Sequence, residues 1–178
     1  MNPESASSFI EIDKALLQKN LVFIRSELKK GVRLSAVIKG NAYGHGIEQM
    51  VPLLEEEGVK HFSVYGIEEA NVFHAHASDA AQLMVMGFID PENLEILLKR
   101  GDEFFVYDID QLKVVISATK RTGLVAKIHI EVETGMNRTG MDETNLSELV
   151  QLITENTENL YLAGICTHLA GAESISNY

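Results

Sequence analysis

Three short stretches carry residue types able to do chemistry. The first is "SAVIKGNAYGHG" (35–46), where an apolar run ends in Lys39 and passes straight into a glycine-rich turn holding Tyr43 and His45. A neutral lysine amine is a nucleophile toward carbonyl carbon, and partial burial or a neighbouring cation shifts a lysine toward that form. A lysine snorkelling from a strand end into solvent is the plainer alternative. The turn weighs against it: Gly40, Gly44 and Gly46 allow close backbone approach and positive φ, and are expected to leave N–H groups free at a helix start. An anion such as phosphate held there, with the Tyr43 hydroxyl as a donor, would lie within reach of Lys39.

The second stretch is "HIEVETGMNRTG" (129–140). Strand alternation places His129, Glu131 and Glu133 on one face and Ile128, Ile130 and Val132 on the other. Polar groups on an inner face need partners, and Arg138 in the following loop is the expected cation. A guanidinium fixed by a carboxylate can bind a phenolate oxygen or a substrate carboxylate. The alternative is a solvated strand end with a surface ion pair. The third is His168, closing "LYLAGICTH" (160–168). A core histidine is the ordinary reading of such a residue; its place at a strand end, like Lys39, favours function.

The elements that position these residues follow from rhythm. Apolar runs of strand length fall at 33–39, 61–64, 82–87, 103–107, 124–133 and 160–168, alternating with stretches of helical period. Asp13 caps a helix over 14–29, and "SFIEID" before it alternates like an edge strand, so 1–12 reads as an N-terminal segment. Asp90-Pro91 marks a helix start, Asp108 with Gln111 resembles a capping box, and 47–58 reads as a helix closed by Gly58. Pro52 either kinks that helix or marks its true first turn. Strand, helix and parallel strand in repetition define an α/β fold, either an open doubly wound sheet or a (β/α)8 barrel. Both gather functional groups at the carboxyl ends of strands. Six strands are two short of a closed barrel, so the 178 residues are expected to be the N-terminal part of a longer enzyme.

The totals exclude several classes. A net charge of −11 repels phosphate backbones and anionic membranes, so no nucleic acid or membrane partner is expected. No apolar run reaches the roughly 20 residues of a membrane helix, and the start lacks a secretory pattern. The single cysteine, Cys166, fits a reducing cytoplasm and reads as packing. His74 and His76 in "FHAHAS" do not share a helix face, so no metal site is expected. "GNAYGHG" lacks the Gly-Lys-Ser/Thr ending of a phosphate-binding P-loop.

"AVIKGNAYGHG" resembles the pyridoxal-phosphate lysine signature of alanine racemases, A-V-[VI]-K, two variable residues and A-Y-G-H-G. "TGMNRTG" is similar to that family's T-G-M-x-R-x-G, and "GICTHLAGAE" to its G-x-x-[ST]-H-[FL]-A-x-A-[DE]. The resemblance runs from "FIEIDKALLQKN" onward. It implies that residues 13–178 are the N-terminal part of a (β/α)8 barrel binding pyridoxal 5′-phosphate, here with about six of eight strands. A β-rich C-terminal domain and a homodimer follow in the family. It implies interconversion of L- and D-alanine, supplying D-alanine for peptidoglycan. Lys39 would hold the cofactor covalently and move the substrate α-proton on one face. Tyr43 would bind the cofactor phosphate, Arg138 the phenolic oxygen and the substrate carboxylate, and His168 would sit against the pyridine ring.

Two departures from the family pattern stand out. Glu131 occupies the place of a lysine that is often carbamylated, so a permanent carboxylate is expected to support Arg138, through a bridging water where its reach falls short. The arginine facing the pyridine nitrogen and the second base lie beyond residue 178 in the family. The chain alone is therefore expected to be inactive or nearly so, and prone to self-associate through uncovered strand edges. The alternatives are a broad-specificity racemase, a related aldolase or decarboxylase, and a non-enzymatic pyridoxal-phosphate-binding protein.

Overall fold

A computed structural model describes residues 8–171. By contact density these fall into two compact units, one running to Leu83 and the other starting at Met84.

In the first unit, helix α1 (Lys14–Glu27) starts at Asp13, whose carboxylate accepts the Leu16 N–H. Residues 8–12 before it, expected as an edge strand, form none. Alternation alone cannot make a strand without a partner ladder. Strand β1 (Ser35–Val37) pairs in parallel with β2 (His61–Val64) in the register Ser35↔His61 to Val37↔Ser63. Between them lie α2 (Lys39–Tyr43), a single turn, and α3 (Ile47–Glu56). Pro52 sits inside α3 and does not open it. Its ring faces solvent, and the N–H it lacks removes one intrahelical bond. Gly58, in the left-handed region at φ +79°, lets the chain turn off the end of α3. Helix α4 (Ile67–His76) follows β2. All four residues of β2 are buried, the polar His61 and Ser63 with the apolar Phe62 and Val64, and Phe62 packs against Phe73 of α4 with ring centroids 5.2 Å apart and planes tilted by 50°. Ile47, Val51 and Leu54 seal α3 onto it.

The boundary falls inside β3 (Gln82–Val85), whose Met84 and Val85 open the second unit. A 3-10 turn (Pro91–Asn93) capped by Asp90 leads into α5 (Leu94–Arg100), then β4 (Glu103–Val106) and α6 (Ile109–Thr122). Strand β5 (Ala126–Glu131), a 3-10 turn (Glu143–Asn145), α7 (Leu146–Glu155) and β6 (Leu160–Cys166) complete it. Asp108 caps α6 through the Gln111 N–H as expected. The Gln111 side chain, however, reaches the Tyr107 N–H, one residue before the cap. Strands β3 to β6 pair in parallel in chain order, joined by helical crossovers, the arrangement from which a (β/α)8 barrel is built. A bulge between Ile128 and His129 shifts the β5–β6 register so that His129 faces Gly164. Among the described residues no helix is long and apolar enough to cross a membrane.

Candidate active site

Lys39 lies two residues past the end of β1 and is half-buried. The Ile38 N–H still donates to Ser63 O at 2.8 Å, so the ladder stops one residue before the lysine. The chain then turns the wrong way for L-residues. Gly40, Asn41 and Ala42 have φ/ψ of 62/38°, 54/50° and 53/44°, and Tyr43 has φ 55°, which makes a left-handed turn. Such a conformation costs about 1–2 kcal/mol for each residue with a Cβ, and as consecutive residues it is rare. Its own hydrogen bonds offset part of that cost. Asn41 O accepts the Gly44 and Gly46 N–H groups at 3.1 and 2.9 Å, and Ala42 O accepts the His45 N–H at 3.1 Å. The Asn41 side chain accepts the Ile47 N–H at 3.0 Å and so caps α3. The N–H groups of Gly44, His45 and Gly46 are therefore engaged within the turn, not free for an anion as expected.

What the turn offers outward is the amine of Lys39 and the phenol of Tyr43, whose ring is largely exposed. A Cβ at Gly40 or Gly44 would meet no atom within 4 Å, so there is open space along this edge.

In the second unit, Ile128 and Ile130 of β5 are buried as the alternation requires, and His129 points the other way. Arg138, expected as the cation for this polar face, forms no ion pair with it among the described residues. His129 is itself paired with a carboxylate, Nε2 lying 2.6 Å from Glu103 Oε2 on the neighbouring strand β4, both side chains nearly buried. Glu131 is buried at the end of β5. Burial first, and then the Glu131 charge, push the Cys166 thiol up to about 12. That makes Cys166 a poor nucleophile.

The loop 134–140 leaves and rejoins the sheet at one point. Met141 N–H donates to Glu131 O and Glu133 N–H to Met141 O, at 2.8 and 3.0 Å, a parallel bridge between Val132 and Met141. Inside the loop, Glu133 turns its carboxylate onto the main chain. The N–H groups of Asn137, then Gly135, with Arg138 and Met136, hold its carboxyl below the usual range. Glu133 is thereby spent on loop shape, and Arg138 is exposed; among the described residues of its unit its guanidinium makes no ion pair. The loop is also tied to the end of β6. The Thr167 hydroxyl donates to Val132 O at 2.8 Å and lies 2.6 Å from the Thr134 hydroxyl. This clasp carries His168, exposed, beside the loop of Arg138. Both threonines fall on positions of the two motifs, but nothing in the sequence pairs them with each other; the acidic residue opening the "EFFV" strand could have suggested a mate for His129.

Parallel β/α units with a lysine just past one strand, and an arginine and a histidine on two clasped strand-end loops, place this chain among the barrel-type α/β folds. It belongs to the alanine racemase family: the family model "Alanine racemase, N-terminal domain" matches residues 12–178. Alanine racemase of Leptospira interrogans is 32% identical over 173 residues, 97% of this chain and 43% of that protein. The solved alanine racemase of Clostridium difficile 630 superposes with a TM-score of 0.82 at 27% identity, covering 91% of this chain and 42% of that one. A histidine racemase from Leuconostoc mesenteroides shares the fold (TM-score 0.82) at 24% identity. The chain thus spans less than half the length of the relatives it matches.

Proposed function

We propose that this chain is the lysine-bearing part of a pyridoxal-phosphate-dependent amino-acid racemase whose substrate is alanine. The observation that carries the reading is Lys39, half-buried at the mouth of a left-handed turn ending in Tyr43, in a chain of alanine racemase sequence. The donor set fits the cofactor's chemistry: a primary amine for its aldehyde, a phenol for its phosphate, and a guanidinium and an imidazole for its ring. When bound, the cofactor withdraws electrons from the substrate and acidifies its Cα–H.

The chain's own residues then divide the work. Lys39 anchors the cofactor and moves a proton at Cα on one face. Tyr43 donates to the phosphate. Arg138 donates to the phenolic oxygen and orients the substrate carboxylate, and His168 supports the ring from the clasped loop. Glu131, at the base of that loop, takes the place of the family's modified lysine in supporting Arg138, through a bridging water where its reach falls short. Racemisation also needs a second acid/base on the opposite face. We assign a homodimer and a cytoplasmic role in D-alanine supply to the whole protein on the same family reading.

The test is racemisation by the full-length protein with L-alanine, then serine, lysine and arginine, beside the Lys39→Ala variant. D-alanine formation and a visible cofactor band, both lost in Lys39→Ala, are the expected result. A cofactor band without any D-amino acid would establish a non-enzymatic binder instead, and a faster reaction with a larger substrate would replace alanine.

A further inference from the structure

The left-handed turn after Lys39 is held from outside by one side chain. Glu69, half-buried in the first turn of α4, places one carboxylate oxygen on each of two main-chain N–H groups. Oε1 accepts from Gly40 at 2.6 Å and Oε2 from Tyr65 at 2.7 Å. Both are short bonds to a carboxylate, the stronger class of hydrogen bond. Tyr65 directly follows β2, so Glu69 is fixed to the scaffold by one oxygen and grips the turn with the other.

The Gly40 N–H belongs to the peptide whose carbonyl is that of Lys39. The preceding residue, Ile38, is held by Ser63 O. Lys39 is thus suspended between two fixed points, and Glu69 supplies the one on the turn side. Within the turn the Ala42 N–H donates to Ile38 O at 2.8 Å and the Gly44 N–H to Gly40 O at 3.1 Å, and the Glu69 carboxylate adds a bond from outside the turn to the N–H that follows Lys39. Asn41, Ala42 and Tyr43 all occupy a region that L-residues avoid. Removing the grip on Gly40 therefore releases strain where the direction of the Lys39 stem is set.

We infer that Glu69 is a positioning residue that sets the aim of the Lys39 amine by clamping the Gly40 and Tyr65 N–H groups. This rests on the reading of Lys39 as the cofactor lysine, and the experiment separates the two. Glu69→Gln preserves size but must present an NH2 donor to one of the two N–H groups, breaking one arm of the clamp. The full-length protein is incubated with limiting pyridoxal phosphate, reduced with borohydride, and the modified Lys39 peptide is quantified by mass spectrometry. Hydrogen exchange at Gly40 and Tyr65 is followed in parallel.

The expected result is a fall of about tenfold in trapping at Lys39, faster exchange at Gly40 or Tyr65, and unchanged exchange in the buried strand β2. Where activity is measurable, kcat falls more than KM rises. Glu69→Asp, which keeps the charge but is one methylene short of both partners, falls between wild type and Glu69→Gln. It gives the same readout should the glutamine variant fail to fold. Wild-type trapping in either variant, with Lys39→Ala blank, overturns the role of Glu69 alone. Trapping that persists in Lys39→Ala overturns the cofactor reading itself.

Discussion

Gly140→Ala probes the point where the loop of Arg138 rejoins the sheet. A Cβ built there would lie 2.6 Å from Glu133 N, 2.9 Å from Val132 C and 3.1 Å from Glu133 Cα, all main-chain atoms. Those atoms have little room to move. Glu133 N–H is bonded to Met141 O, Val132 N–H to Cys166 O, and Met141 is wholly buried. Gly140 also has φ +117°, outside the range that L-residues adopt readily. Backbone strain of this kind costs about 1–3 kcal/mol, and forced overlap in a packed site adds about 1–3 kcal/mol.

Gly123 is the matched control: its φ of +70° is also positive, but nothing lies within 4 Å of its Cβ position. Gly123→Ala should therefore cost only about 1 kcal/mol. Any gain from stiffening the unfolded chain is shared by both variants and cancels. Urea unfolding followed by far-UV circular dichroism should separate the two by about 1–5 kcal/mol. In melting temperature, each kcal/mol is worth about 2–4 °C for a chain of this size. Equal stabilities, within about 1 kcal/mol, would refute the argument that the loop is pinned against rigid backbone at this point.

Other consequences can be read in the same way. Asp142 caps the turn before α7, and its bonds to the Thr144 hydroxyl and N–H lower its pKa from 3.8. Because the folded value is the lower one, the stabilisation is full above pH 3.8 and disappears as pH falls through the folded pKa. Asp142→Ala should thus melt below wild type at pH 7, the gap closing toward pH 2; a gap that widens on acidification would contradict this. Lifting Cys166 from 9.0 to about 12 cuts its thiolate at pH 8 by about a thousandfold. Iodoacetamide should label it far more slowly in the native protein than in urea, and Glu131→Gln should speed native labelling by removing a negative charge; equal native and unfolded rates would exclude the buried placement.

The four-residue strand at 61–64 has the bounds its apolar run suggested, because there the hydrophobic stretch and the hydrogen-bond ladder end together. Elsewhere they part. The runs at 33–39, 124–133 and 160–168 shrink to Ser35–Val37, Ala126–Glu131 and Leu160–Cys166. Those runs take in flanking residues such as Arg33, Thr167 and His168, which lie outside the ladder. The caps at Asp13, Asp90 and Asp108 were legible for the opposite reason: each is a contact between residues two or three apart.

What the amino-acid order determined by itself was therefore local and periodic: the alternation of strand and helix, the turn chemistry, and the residue types at the strand ends. Tertiary structure alone decided the partners. Glu103 meets His129 across 26 positions, Thr134 meets Thr167 across 33, and Glu69 holds Gly40 across 29. The handedness of the turn after Lys39 belongs to this second group. Local preference at Asn41, Ala42 and Tyr43 disfavours it, and the bonds that hold it are those within the turn together with the distant Glu69 carboxylate on the Gly40 N–H.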